Sequence, residues 1–320
     1  MNILITGVGG FIGYNFANHL LSKNKKIKII GIDNLNNYYS VKYKNLRLKK
    51  LKENKNFIFH KIDISKYKEI KKIFNKYKID VIYNLAAQAG VRYSLKNPKL
   101  YNDYNINGFF NILELSREKE IKRIFYASSS SIYGDSKKFP LTENLSLNPK
   151  NIYALSKKIN EELAQLYSGL YGIQLTGLRF FTVYGEWGRP DMFIMKYIVA
   201  SLQKKIFYLN NFGNHYRDFT YIKDINKILY LLLKAKQKKK HEVLNICSSS
   251  PVKITSVISY LNSLMTKPKI KKIPLQTADV IKTHGSNTKL KKIISFKKFT
   301  NINSGLLNVF NWAKKNKVKF

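Results

Sequence analysis

Tyr153 and Lys157 stand four residues apart in Tyr153-Ala154-Leu155-Ser156-Lys157. On a helix this spacing sets a phenol and an ammonium on one face. A neighbouring ammonium favours the phenolate and lowers a pKa of about 10 toward working pH. Tyr153 therefore reads as a base able to take a hydroxyl proton. By itself Tyr-x-x-x-Lys is common on amphipathic helices. It gains meaning here from a serine run, Ser128-Ser129-Ser130-Ser131, and from a glycine-rich turn far upstream.

That turn is Thr6-Gly7-Val8-Gly9-Gly10-Phe11-Ile12-Gly13. It lies between an apolar run and a helical pattern. Gly7, Gly10 and Gly13 permit a tight turn, close approach to a pyrophosphate and close helix–strand packing, while the helix start offers amide donors and its dipole through Phe11 and Ile12. Asp33 ends the next apolar run. A carboxylate there accepts from a ribose 2′-hydroxyl and repels a 2′-phosphate, which favours NAD over NADP. Asp63-Ile64 follows the third run, where Asp63 can meet an adenine amino group or cap a helix, two roles that are compatible. Leu85-Ala86-Ala87 ends the fourth run with small residues that suit close passage of a cofactor.

These groups need a scaffold that brings them to one edge. β-Branched runs at 2–6, 27–33, 57–62, 81–86, 121–128 and 174–180 alternate with helical patterns at 11–22, 65–77, 100–117 and 153–171. Near-continuous apolar strands alternating with helices indicate a doubly wound parallel sheet. Right-handed crossovers then place the strand carboxyl ends together, where ligands bind. An insert at 38–54, rich in Tyr and Lys, is expected to be partly helical. After residue 181 the texture becomes loop-rich, with helices expected at 191–203, 224–235, 254–264 and 304–314. The division expected is a nucleotide-binding domain over 1–178 and a substrate lobe over 179–320, with some segments returning to the first domain.

Composition narrows the class. Of 320 residues, 44% are hydrophobic and 7 are Pro, which excludes a disordered chain. The lone cysteine, Cys247, excludes a disulfide framework and a cysteine-built zinc site. No apolar stretch approaches membrane-spanning length, and the glycine-broken start does not read as a signal peptide, so a cytoplasmic protein without membrane insertion is expected. Lys plus Arg is 58 against 19 acidic residues, a net charge of +39. The lysines are spread along the chain, which reads as solvated faces rather than a nucleic-acid stripe. Arginine is scarce, at positions 47, 92, 117, 123, 179, 189 and 217, and a planar bidentate donor is expected to sit where geometry matters. The five histidines are scattered with no metal-ligand spacing, and no metal is expected.

Taken together, Gly7–Gly13, the stretch 84–94, the serine run through Gly134, Tyr153–Lys157, the stretch 178–192 and Arg217-Asp218-Phe219-Thr220-Tyr221 resemble the extended short-chain dehydrogenase/reductases that act on nucleotide sugars. The resemblance runs from Ile3 to Trp312. Asp33-Asn34-Leu35-Asn36-Asn37-Tyr38-Tyr39, Ala87–Ser94, Arg179-Phe180-Phe181-Thr182-Val183-Tyr184-Gly185 and Gly188-Arg189-Pro190-Asp191-Met192 are similar to one subgroup, the UDP-glucuronate 4-epimerases.

The resemblance implies a Rossmann-type α/β fold with a smaller C-terminal α/β lobe, tightly bound NAD, a UDP-sugar substrate and a homodimer built on the helices at 100–117 and 153–171. It implies Ser129, Tyr153 and Lys157 as the catalytic set. Ser129 would bond the sugar 4-oxygen, Tyr153 would take the 4-hydroxyl proton, and Lys157 would also hold the nicotinamide ribose. A hydride leaving C4 would return to the other face of the 4-keto sugar. Related dehydratases carry an Asp-Glu pair after the first Ser, and related decarboxylases a Glu at the second position. This chain carries Ser130 and Ser131, neutral donors that suit a carboxylate. With Thr182 and Arg189 they would hold the glucuronate carboxylate against loss of CO₂. Arg217 matches a diphosphate-binding arginine, Asp279 an Asp near the uridine ribose, and Arg92 is a further candidate for the substrate. Ala278 stands where the family usually has Gly, and Thr283-His284-Gly285-Ser286 where Thr-Tyr-Ala-Asp is common. The alternatives are an epimerase for uncharged UDP-glucose or UDP-N-acetylglucosamine, a nucleotide-sugar decarboxylase or dehydratase, and a non-enzymatic NAD-binding protein.

Overall fold

The structure, a computed structural model, describes residues 1–236, 238–276 and 279–318. Ala278 lies outside the described residues. The first half alternates β1 (Asn2–Thr6), α1 (Phe11–Lys23), β2 (Lys28–Asp33), α2 (Val41–Lys52), β3 (Phe57–Lys61), α3 (Tyr67–Lys76) and β4 (Val81–Asn84). Short helices α4 (Val91–Lys96) and α5 (Pro98–Tyr101) lead to α6 (Gly108–Glu118), then β5 (Arg123–Ser129), α7 (Ile152–Tyr171) and β6 (Gln174–Phe180). The second half holds β7 (Thr182–Tyr184), α8 (Phe193–Leu202), β8 (Phe207–Asn210), β9 (Tyr216–Tyr221), α9 (Ile222–Lys234), β10 (His241–Ile246), β11 (Pro251–Lys253), α10 (Ile254–Leu264), β12 (Ile270–Ile273), α11 (Thr288–Ile293) and α12 (Ile302–Lys315).

Among the described residues seven strands pair in parallel in the order β10-β6-β5-β4-β1-β2-β3. Side chains alternate across the sheet, so Ile3 and Ile5 pack on one layer and Leu4 on the other, each fully buried. Helix α1 (Phe16, Leu20) covers the first face, and α3 and α6 (Ile70, Ile73, Ile112) cover the second. Burial on both faces explains why these strands read as continuous apolar runs. The order reverses between β1 and β4, the crevice where this architecture binds nucleotides.

Three features go beyond the elements expected from the sequence, each with a clear cause. The helix expected over 100–117 is broken at 102–107 by a π-helical turn. There Asn105 turns inward; its Nδ2 donates to the Gln88 carbonyl (3.1 Å) and to Ser156 Oγ (3.0 Å), and its Oδ1 accepts from Gln88 N (2.7 Å). A side chain reaching both the loop after β4 and helix α7 bends the ladder into a wider turn. β10, from the second half of the chain, completes the large sheet beside β6. It is reached through α9, whose last carbonyls (Leu232, Leu233, Ala235) accept from Arg123 at 2.8 Å. The smaller lobe contains short strands, β11-β9-β7 and β12-β8, with too few residues each to show a period in the sequence.

Candidate active site

The β1–α1 turn is built from main chain. Gly7 N donates to the Ile32 carbonyl at 2.8 Å, and Thr6 Oγ1 donates to Asn84 Oδ1 (2.6 Å) while accepting from Ala86 N (2.9 Å). These bonds fasten the ends of β1, β2 and β4. A Cβ on Gly13 would lie 2.3 Å from the Gly7 carbonyl oxygen, and one on Gly7, whose φ is +70°, would lie 2.8 Å from Ala86. The turn is thus as close to α1 and to Leu85-Ala86-Ala87 as backbone allows. Helix α1 starts after Gly10 with no side-chain cap. Its first amides are left for an anion.

Asp33 is buried at the end of β2. Its Oδ2 accepts from Gly9 N (2.9 Å) and its Oδ1 from Leu35 N (2.8 Å). Burial raises its pKa, opposed by Lys44, the two N–H donors and Arg47. The insert at 38–54 supplies both cations. Lys44 Nζ donates to the Asn36 carbonyl (2.7 Å) and Oδ1 (2.8 Å). Arg47 is fully buried and donates to Gly9 O (2.8 Å), Tyr39 Oη (2.7 Å), Trp187 O (2.5 Å) and Gly188 O (3.4 Å). It ties the glycine turn to a loop of the second lobe. In the sequence only the scarcity of arginine marks Arg47.

One cavity of about 420 Å³ runs from this turn to the chemical residues. Gly7, Gly10, Phe11, Ile12, Gly13, Asp33 and Ile64 line one end. Leu85, Ala86 and Ala87 line its side, and Ser129, Ser130, Ser131, Tyr153, Lys157, Thr182 and Arg189 line the other end. Asp63 does not line it; its Oδ1 accepts from Ser65 N (2.9 Å) and its Oδ2 from Asn34 Nδ2 (3.0 Å). The small side chains, free amides and buried carboxylate suit a dinucleotide with a free 2′-hydroxyl, so the residues present fit NAD.

Helix α7 begins at Asn151, whose Oδ1 caps Ala154 N at 2.9 Å, and so presents Tyr153 and Lys157 one turn apart at its start. Ser129 and Tyr153 line the same end of the cavity, and the Ser129 hydroxyl favours the Tyr153 phenolate. Ser129 Oγ also lies 3.1 Å from Ser131 Oγ and accepts from Ser131 N at 3.2 Å. Burial raises the Tyr153 pKa, while the Ser129 hydroxyl and the Arg189 charge pull it down. Burial lowers Lys157 to about 8. The pull on the phenol in the protein alone thus comes from Ser129 and Arg189, rather than from Lys157 as the spacing suggested.

Arg189 is already engaged. Its Nε donates to Asp191 Oδ1 (3.0 Å) and Nη2 to Oδ2 (2.5 Å), and Tyr38 from the insert donates to the same Oδ2 (3.0 Å). Tyr38 and Asp191 carry no local signal of this role, although both lie inside the motifs that carry the resemblance.

Arg92, Arg217 and Asp279 lie apart from the cavity lining and near one another. Arg92 from α4 donates to Asp279 through Nε (3.1 Å) and Nη2 (2.5 Å). Arg217 Nη1 donates to the Tyr216 (3.0 Å) and Ile281 (2.9 Å) carbonyls, and burial lowers its pKa to about 10. Thr283–Ser286 is held by main-chain bonds, with Leu141 N donating to His284 O (2.7 Å) and Ser286 N to Leu141 O (2.8 Å). Among the described residues no group of three or more His, Cys, Asp or Glu could hold a metal ion, and no helix is long and apolar enough to cross a membrane.

Comparison with known proteins gives a consistent picture. A family model described as the NAD dependent epimerase/dehydratase family matches residues 3–247. The chain is 41% identical over 331 residues to Protein CapI of Staphylococcus aureus, covering 98% of each. It is 39% identical over 316 residues to the UDP-glucuronate 4-epimerase of Thermodesulfobacterium geofontis, covering 98% of this chain and 96% of that one. The crystal structure of UDP-glucuronic acid 4-epimerase from Bacillus cereus, in complex with UDP-glucuronic acid and NAD, superposes with a TM-score of 0.92 at 29% identity, over 99% of this chain and 100% of that one.

Proposed function

The chain belongs to the NAD dependent epimerase/dehydratase family, and from that premise we propose that it interconverts UDP-glucuronate and UDP-galacturonate by epimerisation at C4. The observation that carries the reading is one cavity joining an NAD-type turn to Ser129, Tyr153 and Lys157, with neutral serines at the next two positions. The overall likeness to enzymes of that name supports it.

The Gly7–Gly13 turn, Asp33 and Lys157 would hold NAD, which when bound would supply a reversible two-electron acceptor for the C4 hydrogen. Tyr153 takes the 4-hydroxyl proton as the carbonyl forms and returns it to the inverted alcohol. Ser129 orients the 4-oxygen and favours the Tyr153 phenolate. The 4-keto sugar acid is a β-keto acid, prone to lose CO₂. Ser130, Ser131, Thr182 and Arg189 offer donors to its carboxylate, and no acid follows Ser129 to drive a further proton transfer. Arg217, Asp279 and Arg92 serve the nucleotide end in this reading. The chain acts in the cytoplasm as a homodimer whose interface is α6 and α7, supported by exposed apolar residues there, including Phe110, Leu166 and Leu170.

A second reading, epimerisation of an uncharged UDP-sugar, is favoured by one observation: Asp191 already occupies two nitrogens of Arg189. A panel of UDP-sugars with product separation decides. UDP-glucuronate is expected to be turned over about 10²-fold more efficiently than UDP-glucose, because donors built for a charged group are left unpaired by an analogue lacking it. Equal turnover would establish the second reading. Ser130→Ala with Ser131→Ala should release a UDP-pentose side product; loss of activity without pentose would remove these hydroxyls from carboxylate restraint.

A further inference from the structure

Tyr153, Lys157 and Glu161 recur every four residues on α7, so a carboxylate follows the phenol and the ammonium along one helix face. Glu161 is 6% exposed and lies outside the cavity lining. Its Oε1 accepts from Ser128 Oγ (2.6 Å) and Arg179 Nε (2.9 Å), and its Oε2 from Arg179 Nη2 (2.6 Å). Arg179, on β6 and 3% exposed, donates its remaining nitrogen to Tyr133 Oη (2.8 Å) and the Glu143 carbonyl (3.2 Å). Tyr133 in turn donates to Asn245 Oδ1 (2.7 Å) on β10.

Ser128 and Tyr133 bracket the segment that carries Ser129, Ser130 and Ser131. One end of that segment is tied to the carboxylate and the other to the guanidinium of a single buried ion pair. The acid belongs to the helix that carries Tyr153. The arginine sits directly opposite Ser128 in the β5–β6 register.

We propose that Glu161 and Arg179 are positioning residues for the reaction: their ion pair sets the serine segment against helix α7 and thereby holds Ser129 in register with Tyr153 at the reacting end of the cavity. The inference rests on the epimerase reading above. A bidentate guanidinium–carboxylate pair fixes both distance and orientation, which a single hydrogen bond does not. Both charges are buried, so separating them would leave each unpaired away from water. Since a displacement of about 1 Å at reacting groups costs about 10²-fold in rate, small slips matter.

The test uses the full chain with NAD bound and compares wild type, Ser128→Ala, Glu161→Gln and the double variant. Ser128→Ala leaves the ion pair intact and cuts only its tie to the serine segment, so it reports even if Glu161→Gln folds poorly. Expected are a fall in kcat of about tenfold for Ser128→Ala and up to about 10²-fold for Glu161→Gln, with KM within about twofold and NAD retained. The double variant should be no worse than Glu161→Gln, since both break one linkage. The acid limb of kcat should move to higher pH in each, because a displaced Ser129 no longer favours the Tyr153 phenolate. Arg189, Lys157 and Tyr101 also face Tyr153, and Tyr126 and His241 neighbour Glu161; none is altered in these variants. Lower melting temperatures with unchanged kcat per folded molecule and an unmoved pH limb would show a merely structural pair and overturn the proposal. So would independent, additive losses in the double variant. If wild type leaves UDP-glucuronate untouched, the functional reading falls separately, and the same comparison runs on whichever UDP-sugar the wild type turns over.

Discussion

Replacing Gly13 with alanine places a Cβ 2.3 Å from the Gly7 carbonyl oxygen and 2.9 Å from its carbon. A carbon approaches a carbonyl oxygen to about 3.3 Å, so the turn and helix α1 must part by about 1 Å. Gly7 has no room to retreat. Its amide is committed to the Ile32 carbonyl at 2.8 Å, and its own Cβ position already lies 2.8 Å from Ala86 N. Helix α1 has none either, since Phe16, Ala17 and Leu20 are fully buried. Overpacking of this kind costs about 1–3 kcal/mol in stability. A shift of about 1 Å at a binding geometry costs about 10²-fold, so NAD affinity should fall by roughly that factor. The measurement is NAD released per protomer after gel filtration and heat denaturation, with a titration of the stripped protein. Gly169→Ala in α7 is the control, because nothing lies within 4 Å of its Cβ position. It should raise stability by about 1 kcal/mol and leave NAD content alone. A Gly13→Ala protein holding NAD as wild type does would refute the close-approach argument.

Tyr153→Phe should cut epimerisation by about 10²–10⁴-fold while NAD stays bound, since the ring still packs and only the base is gone; near-normal turnover would move the proton to another group. Lys157→Met should also abolish activity, yet stabilise the NAD-free protein near pH 7. The folded pKa of Lys157 is about 8 against 10.5 in the open chain, so the buried ammonium is a cost fully present below pH 8 and relieved as pH rises toward 10.5. The gain, at most about 3 kcal/mol at pH 7, should shrink through that window in denaturant melts at several pH values; a gain that grows with pH would reverse the sign of the argument. Leu166→Glu with Leu170→Glu places charge where 55% and 64% of each side chain is exposed on α7. Light scattering should then show a monomer that still melts cooperatively, and an unchanged mass would move the interface off this face.

The parallel sheet was legible because burial on both faces leaves an unmistakable apolar run, and β1 and β6 fall on the residues expected. The glycine turn was legible because close backbone approach leaves a mark in residue type. The π-helical turn was not, because Asn105 looks like any helical asparagine until Gln88 and Ser156 are placed around it. The same holds for Asp191: the sequence displays Arg189 two residues before it, but not that two of the three guanidinium nitrogens are spent on it. β8, β11 and β12 are three or four residues long and are defined by their neighbours rather than by a pattern of their own. Pairings made across the chain, such as Arg92 with Asp279, are invisible to local spacing altogether.

The seven arginines share one habit. Arg47, Arg123 and Arg217 grip carbonyls, Arg92, Arg117 and Arg189 each hold one carboxylate with two nitrogens, and Arg179 holds a carboxylate while reaching a phenol. Lysine, by contrast, is scattered over the surface in great excess. A chain can drift toward lysine wherever a single solvated charge will do, and the drift halts where a flat fork has to span two acceptors. The rarer cation therefore works as a set of surveyor's marks. In this lysine-rich protein Arg47, Arg92, Arg123, Arg179 and Arg217 mark the joints where distant parts of the chain are pinned together, and exchanging any of these five for lysine changes the joint while leaving the charge as it was.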